Sequence, residues 1–162
     1  MSDIDLYNQD LFLQSDTAWH EGNLQLAFDL QDKITGLSDN NLAALLIRAG
    51  YILLESSKFE EAINWFNLAE EHIIPHEFYG LPFLFADLHL MPILGRIKAY
   101  RLTNNLNGIQ QEIGSLVKWL SKSEREILKE GLASTGEYID KLLNRKEVYC
   151  APFFGHKNGG QN

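Results

Sequence analysis

Ala43–Pro75 reads AALLIRAGYILLESSKFEEAINWFNLAEEHIIP, and this stretch decides the fold. Phe59, Ala62, Ile63, Phe66, Ala69 and Ile73 recur at steps of three and four residues, so on a helix they share one face. Glu60, Glu61, Asn64, Asn67 and Glu71 take the other side. The helix before it runs from about Asp39 to Ser56. Gly50 and Ala62 are small residues, one in each of the two helices. Pro75 ends the second helix, because proline lacks a backbone N–H and crowds the preceding turn. No strand-like alternation of useful length competes anywhere in the chain.

Working outward, the spacing predicts seven helices and an all-α fold. Two precede the hairpin, at about Leu6–His20 and Asn23–Thr35, with Glu21-Gly22-Asn23 as a tight turn and Gly36 as a stop. After Pro75 the pattern loosens through His76–Pro82, and a fifth helix extends from about Phe85 to Leu102. Pro92 either kinks that helix or marks its start. A sixth runs from about Leu106 to Leu120. The seventh opens on overlapping Ser-x-x-Glu boxes (Ser121 with Glu124, Ser123 with Glu126) and carries the stripe Leu128, Leu132, Thr135, Ile139, Leu142. Gly131 and Gly136 weaken it by about 1 kcal/mol each relative to alanine, so packing must hold it. Residues 1–147 are thus expected to form one helical domain. Residues 148–162 form an aromatic, then polar tail whose end is expected to be mobile.

At 162 residues the chain can bury one continuous core, roughly 70% of its unfolded surface. The N-terminus lacks the basic start and apolar run of a signal peptide. The longest apolar stretch, Leu81–Leu94, is too short and too polar to span a bilayer. The lone Cys150 cannot form an internal disulfide, which fits a reducing, cytoplasmic setting. The net charge of −8 is unevenly placed. Residues 1–80 carry 14 acidic against 3 basic side chains, and residues 81–162 carry 8 against 11. So acidic an N-terminal half disfavours nucleic acid and suits either simple solvation or the steering of a basic partner.

With those places filled, the chain resembles the tetratricopeptide repeat family, whose 34-residue unit is a helical hairpin with small and large residues at set places. Ala43, Leu46, Gly50, Leu53, Phe59, Ala62, Phe66 and Ala69 occupy the motif, and Pro75 stands one place beyond its usual closing proline. An earlier copy matches through Leu11, Ser15, Ala18, Leu24, Ala27 and Ile34. It departs at Gln31, where an apolar residue is expected, and that departure suits an N-terminal cap whose outer face meets water. A third copy is sketched by Met91, Leu94, Gly95, Leu106, Ile109, Ile113 and Leu116, with about two extra residues in its turn. The resemblance implies a right-handed stack of hairpins closed by a C-terminal capping helix.

Proteins of this family usually bind a partner along the concave surface lined by the first helix of each hairpin. Carried over, those places are Phe12, Asp16, Trp19 and His20 in the first copy, and Ile47, Tyr51 and Leu54 in the second. Depending on register, the third adds Arg96, Lys98 or Arg101 at one end. One subfamily grips a terminal carboxylate with lysine and asparagine, where this chain has Phe12, Ile47, Asp16 and Tyr51, so that mode is not expected. An apolar and aromatic lining suits an amphipathic helix or extended apolar segment. Trp19 and Tyr51 are the best anchors, being aromatics with a polar handle.

The expected function is therefore protein binding without catalysis or cofactor, as adaptor, assembly factor or chaperone. In length and acidity the chain is also similar, in general features only, to the small helical-repeat chaperones of bacterial type III secretion. An alternative is an immunity or inhibitor protein whose acidic half covers a basic partner. A different class would be a metal-binding or enzymatic domain using His72, His76 and His89, but Pro75 interrupts the helical spacing of the first two. Cys150 and His156 sit in a glycine-terminated tail with no rigid frame for nucleophile and base. Association into a homo-oligomer is left open.

Overall fold

The computed structural model describes residues 2–73 and 82–116. These form α1 (Asp3–His20), α2 (Leu24–Asp32), α3 (Asp39–Glu55), α4 (Phe59–His72), α5 (Pro82–Leu102) and α6 (Leu106–Leu116). Among the described residues there is no strand, as the periodicity predicts. The expected seventh helix, the boundary at residue 147 and the tail lie outside them. No helix among them is long and apolar enough to cross a membrane.

Local chemistry sets most of the helix ends. Ser2 starts α1 one turn earlier than the apolar pattern predicts, by a reciprocal capping box. Its hydroxyl accepts from the Asp5 N–H (3.2 Å), and the Asp5 carboxylate accepts from the Ser2 N–H (3.3 Å). Asn23 caps α2 through the Leu26 N–H. α5 begins at Pro82, where a fixed φ and a missing N–H suit the first helical position, and it runs on through Pro92. Pro92 therefore does not start the helix.

Three turns share one hydrogen-bonding pattern. Glu21-Gly22-Asn23, Ser56-Ser57-Lys58 and Thr103-Asn104-Asn105 each place the middle residue in left-handed backbone, at φ +81°, +59° and +56°. In each, the third residue's N–H reaches back to close the preceding helix: Asn23 to Ala18, Lys58 to Leu53 and Asn105 to Tyr100, at 2.8, 2.9 and 2.8 Å. α1–α2, α3–α4 and α5–α6 are thus three hairpins with the same reversal. The two extra residues expected in the third turn lie inside α5 instead. Gly95 precedes Asn104 by nine positions, whereas Ser15 precedes Gly22, and Gly50 precedes Ser57, by seven.

Pairings across each hairpin run antiparallel. Asn8 meets Thr35 while Ser15 meets Ala27; Asp39 meets His72 while Gly50 meets Phe66; Arg96 meets Glu112 while Tyr100 meets Gly108. Neighbouring hairpins join through α2 on α3, α4 on α5 and α3 on α5. α3 is the centre, buried without a break from Ala43 to Leu54, a run that is apolar on every side except at Arg48. The closest packing is around Phe66. Its ring occupies the space a Cβ would need at Gly50 on α3 (2.5 Å) and also at Gly95 on α5. Tyr51 meets the same ring edge-on, 5.1 Å between centroids.

Candidate functional site

The eight residues expected to line a concave surface divide into two groups. Ile47, Tyr51 and Leu54 are in the core at 0%, 1% and 3% exposure, and Arg96 is also buried. Phe12, Asp16 and Trp19 are half-buried, and His20 is exposed. Only the α1 group therefore presents surface. Tyr51 spends its polar handle inside the protein: the hydroxyl donates to the Met91 carbonyl at 2.7 Å, across to α5.

The α1 group is organised by a residue that the sequence reading passed over. Arg48, on α3, is 2% exposed and lies between the rings of Phe12 and Trp19, at 4.7 and 4.8 Å from their centroids. Such cation–π contacts strengthen when water is excluded. Arg48 Nη1 donates to Ser15 Oγ (2.8 Å) and Gln31 Oε1 (2.7 Å), while Nη2 lies 3.4 Å from Asp16 Oδ1. Ser15 in turn donates to the Ala27 carbonyl (2.6 Å), and Gln31 Nε2 donates to the Leu45 carbonyl (3.2 Å). A buried guanidinium is tolerated here because its donors have acceptors on α1 and α2.

This network corrects the reading of Gln31. Its side chain does not meet water at a capping face; it is 3% exposed and completes the Arg48 site. The signal was present, since Ser15, Gln31 and Arg48 are three polar residues at core positions of three adjoining helices. Each alone resembles a local imperfection, and only their convergence makes a site.

Trp19 is fixed at its other end by Glu55, which accepts from the indole N–H at 2.8 Å. His20 Nδ1 sits 3.5 Å from Asp16 Oδ2, one helical turn back. The outcome is a face of α1 whose aromatic rings are held by contacts to α3 and whose rim carries carboxylates. Arg96 belongs to a separate centre. Its guanidinium donates to both carboxylate oxygens of Glu112 (2.8 and 3.0 Å), to Glu70 and to Asn67, so it ties α5 to α4 and α6. Burial by itself would lower the Arg96 pKa; hydrogen bonds and charge from Glu112 and Glu70 outweigh that, and it is raised.

Of the histidines considered for metal chemistry, His72 and His89 are among the described residues. His72 Nδ1 lies 3.3 Å from Asp39 Oδ1, joining the end of α4 to the start of α3. His89, on α5, has its pKa lowered by burial, against an opposing pull from the charge of Glu70. His76, Cys150 and His156 lie outside the described residues, among which no three His, Cys, Asp or Glu side chains converge to hold a metal ion. In comparisons with known proteins, the chain matches no family model, no curated protein and no solved structure.

Proposed function

We propose that this chain is a protein-interaction module of the tetratricopeptide-repeat type, a right-handed stack of hairpins acting as adaptor, assembly factor or chaperone. It binds an apolar or amphipathic segment of its partner on the α1 face bearing Phe12, Asp16, Trp19 and His20. The recurrence of one turn in three hairpins supports the repeat reading. The single observation that carries the binding reading is the Phe12–Arg48–Trp19 stack. Two half-exposed aromatics are held rigid by a buried cation, and rigid aromatics lose little conformational freedom when a partner docks.

A photo-crosslinking side chain placed at His20, next to the aromatic pair, tests this in cells that make the protein. One partner is expected to be captured at His20 and lost when Trp19→Ala is added to a chain that still folds. Capture from Leu106 on α6 instead, with nothing at His20, would move the interface elsewhere and overturn the reading.

A further inference from the structure

The packed side of α1 is accounted for by Asn8, Leu11, Ser15 and Ala18, all buried. Its opposite side is not the polar surface expected at the end of a helical stack. Leu6 and Leu13 are 52% and 57% exposed and stand two turns apart, about 10 Å along one face. Tyr7, 54% exposed, lies more than a quarter turn round the helix from both, nearer the packed side. Thr17, Asp10, Asp3 and Gln14 lie beside the leucine row, so an apolar row and a polar row with two carboxylates run next to each other along the helix. Gln14 Nε2 donates to Asp10 Oδ2 at 2.7 Å and orients that carboxylate.

The charge around this face decides what can cover it. Residues 3–32, which span α1 and α2, hold seven carboxylates and no lysine or arginine. A second copy pairing through the same face would bring two surfaces of the same negative charge together, which disfavours association. Anionic lipid and nucleic acid are repelled for the same reason. A helix with an apolar stripe flanked by lysine or arginine satisfies both features at once: leucines meet Leu6 and Leu13, and cations meet Asp3 and Asp10.

We propose that the outward face of α1, built on Leu6 and Leu13 with Asp3 and Asp10 beside them, is a docking surface for a basic amphipathic helix of another protein. The leucines lie across α1 from the packed side and do not touch the Arg48 stack; Leu13 neighbours Asp16 and His20, so Trp19→Ala is the variant that separates this face from the site proposed above.

The test is a fluorescence-anisotropy titration of the full chain against two labelled synthetic helices. Both carry leucine at three- and four-residue spacing; one has lysine on its flanks and the other glutamate. Binding is expected for the lysine helix only, and it weakens as salt rises. Leu6→Glu with Leu13→Glu is expected to weaken it by about tenfold or more. The added carboxylates can only attract lysine, so that loss reports the apolar contact. Asp10→Lys is expected to weaken the lysine helix and admit the glutamate one. Trp19→Ala and Leu106→Glu are expected to bind like the unaltered chain, with helix content checked by circular dichroism. The proposal is overturned if the lysine helix does not bind, if both helices bind equally, or if the paired glutamates have no effect. It is likewise overturned if Trp19→Ala alone abolishes binding, or if the unaltered chain is a dimer that Leu13→Glu dissociates.

Discussion

Arg48 lies beneath Trp19, its guanidinium carbon 4.8 Å from the centroid of the indole. The contact joins the centre of α3 to the last turn of α1 and makes the exposed part of Trp19 depend on a residue that solvent hardly reaches. Stability and surface shape are therefore coupled at one side chain.

Arg48→Met keeps the stem and removes the charge, leaving Gln31 Oε1 without its donor in the core. We expect a loss of about 3 kcal/mol from the unsatisfied acceptor and the lost pairing. Adding Gln31→Leu should recover a large part of it, since replacing both partners by apolar groups is far less costly than removing one. A double-mutant cycle from urea unfolding measures the coupling; simple additivity would refute the network.

Gly50→Ala and Gly95→Ala each drive a methyl group into the Phe66 ring. Either should destabilise the fold by about 1–3 kcal/mol, the range for overpacking a filled core. Phe66→Leu should then cost less in the Gly50→Ala background than alone, because the smaller side chain relieves the overlap. Chemical denaturation of the four chains shows whether the two changes interact.

Ser57 adopts φ +59° where the first hairpin uses Gly22 at φ +81°. A side chain in this region costs about 1–2 kcal/mol, so Ser57→Gly is expected to stabilise by about 1 kcal/mol. Gly22→Ala should lose a similar amount. Thermal melts of the two variants should move in opposite directions; a fall in both would mean that the turns are not equivalent.

Burial lowers the His89 pKa in the folded chain below the ordinary value of 6.5. The unfolded chain then takes up a proton at that residue before the folded one does. The His89 contribution is intact above the unfolded pKa and is lost as pH falls toward the folded one. Stability should drop between about pH 7.5 and about pH 5.5, and His89→Gln should flatten that drop. Urea midpoints at the two pH values give the comparison; an equal slope in both chains would remove His89 as its source.

The helices were legible in the sequence because each depends on side chains close together along the chain. The three-and-four spacing of Phe59, Ala62, Phe66 and Ala69, with Gly22 in the first turn, is local information. So was the capping box of Ser2 and Asp5, although the apolar pattern alone started α1 a turn late. The candidate site was legible in part. Phe12, Asp16, Trp19 and His20 present surface, whereas Ile47, Tyr51, Leu54 and Arg96 are buried. Helical phase tells which side a residue lies on, but not whether another helix covers that side.

What the sequence by itself determined is the smallness of Gly50 and Ala62 and the all-α character of the described chain, the latter a consequence of backbone sterics and periodicity. Only the tertiary structure decided that Arg48 meets Ser15 and Gln31, that Arg96 is neutralised by Glu70 and Glu112, and that Phe66 fills the space beside Gly95. Those relations join residues far apart in the chain. Their energies come from excluding water around matched groups, and that exclusion exists only once the helices have packed.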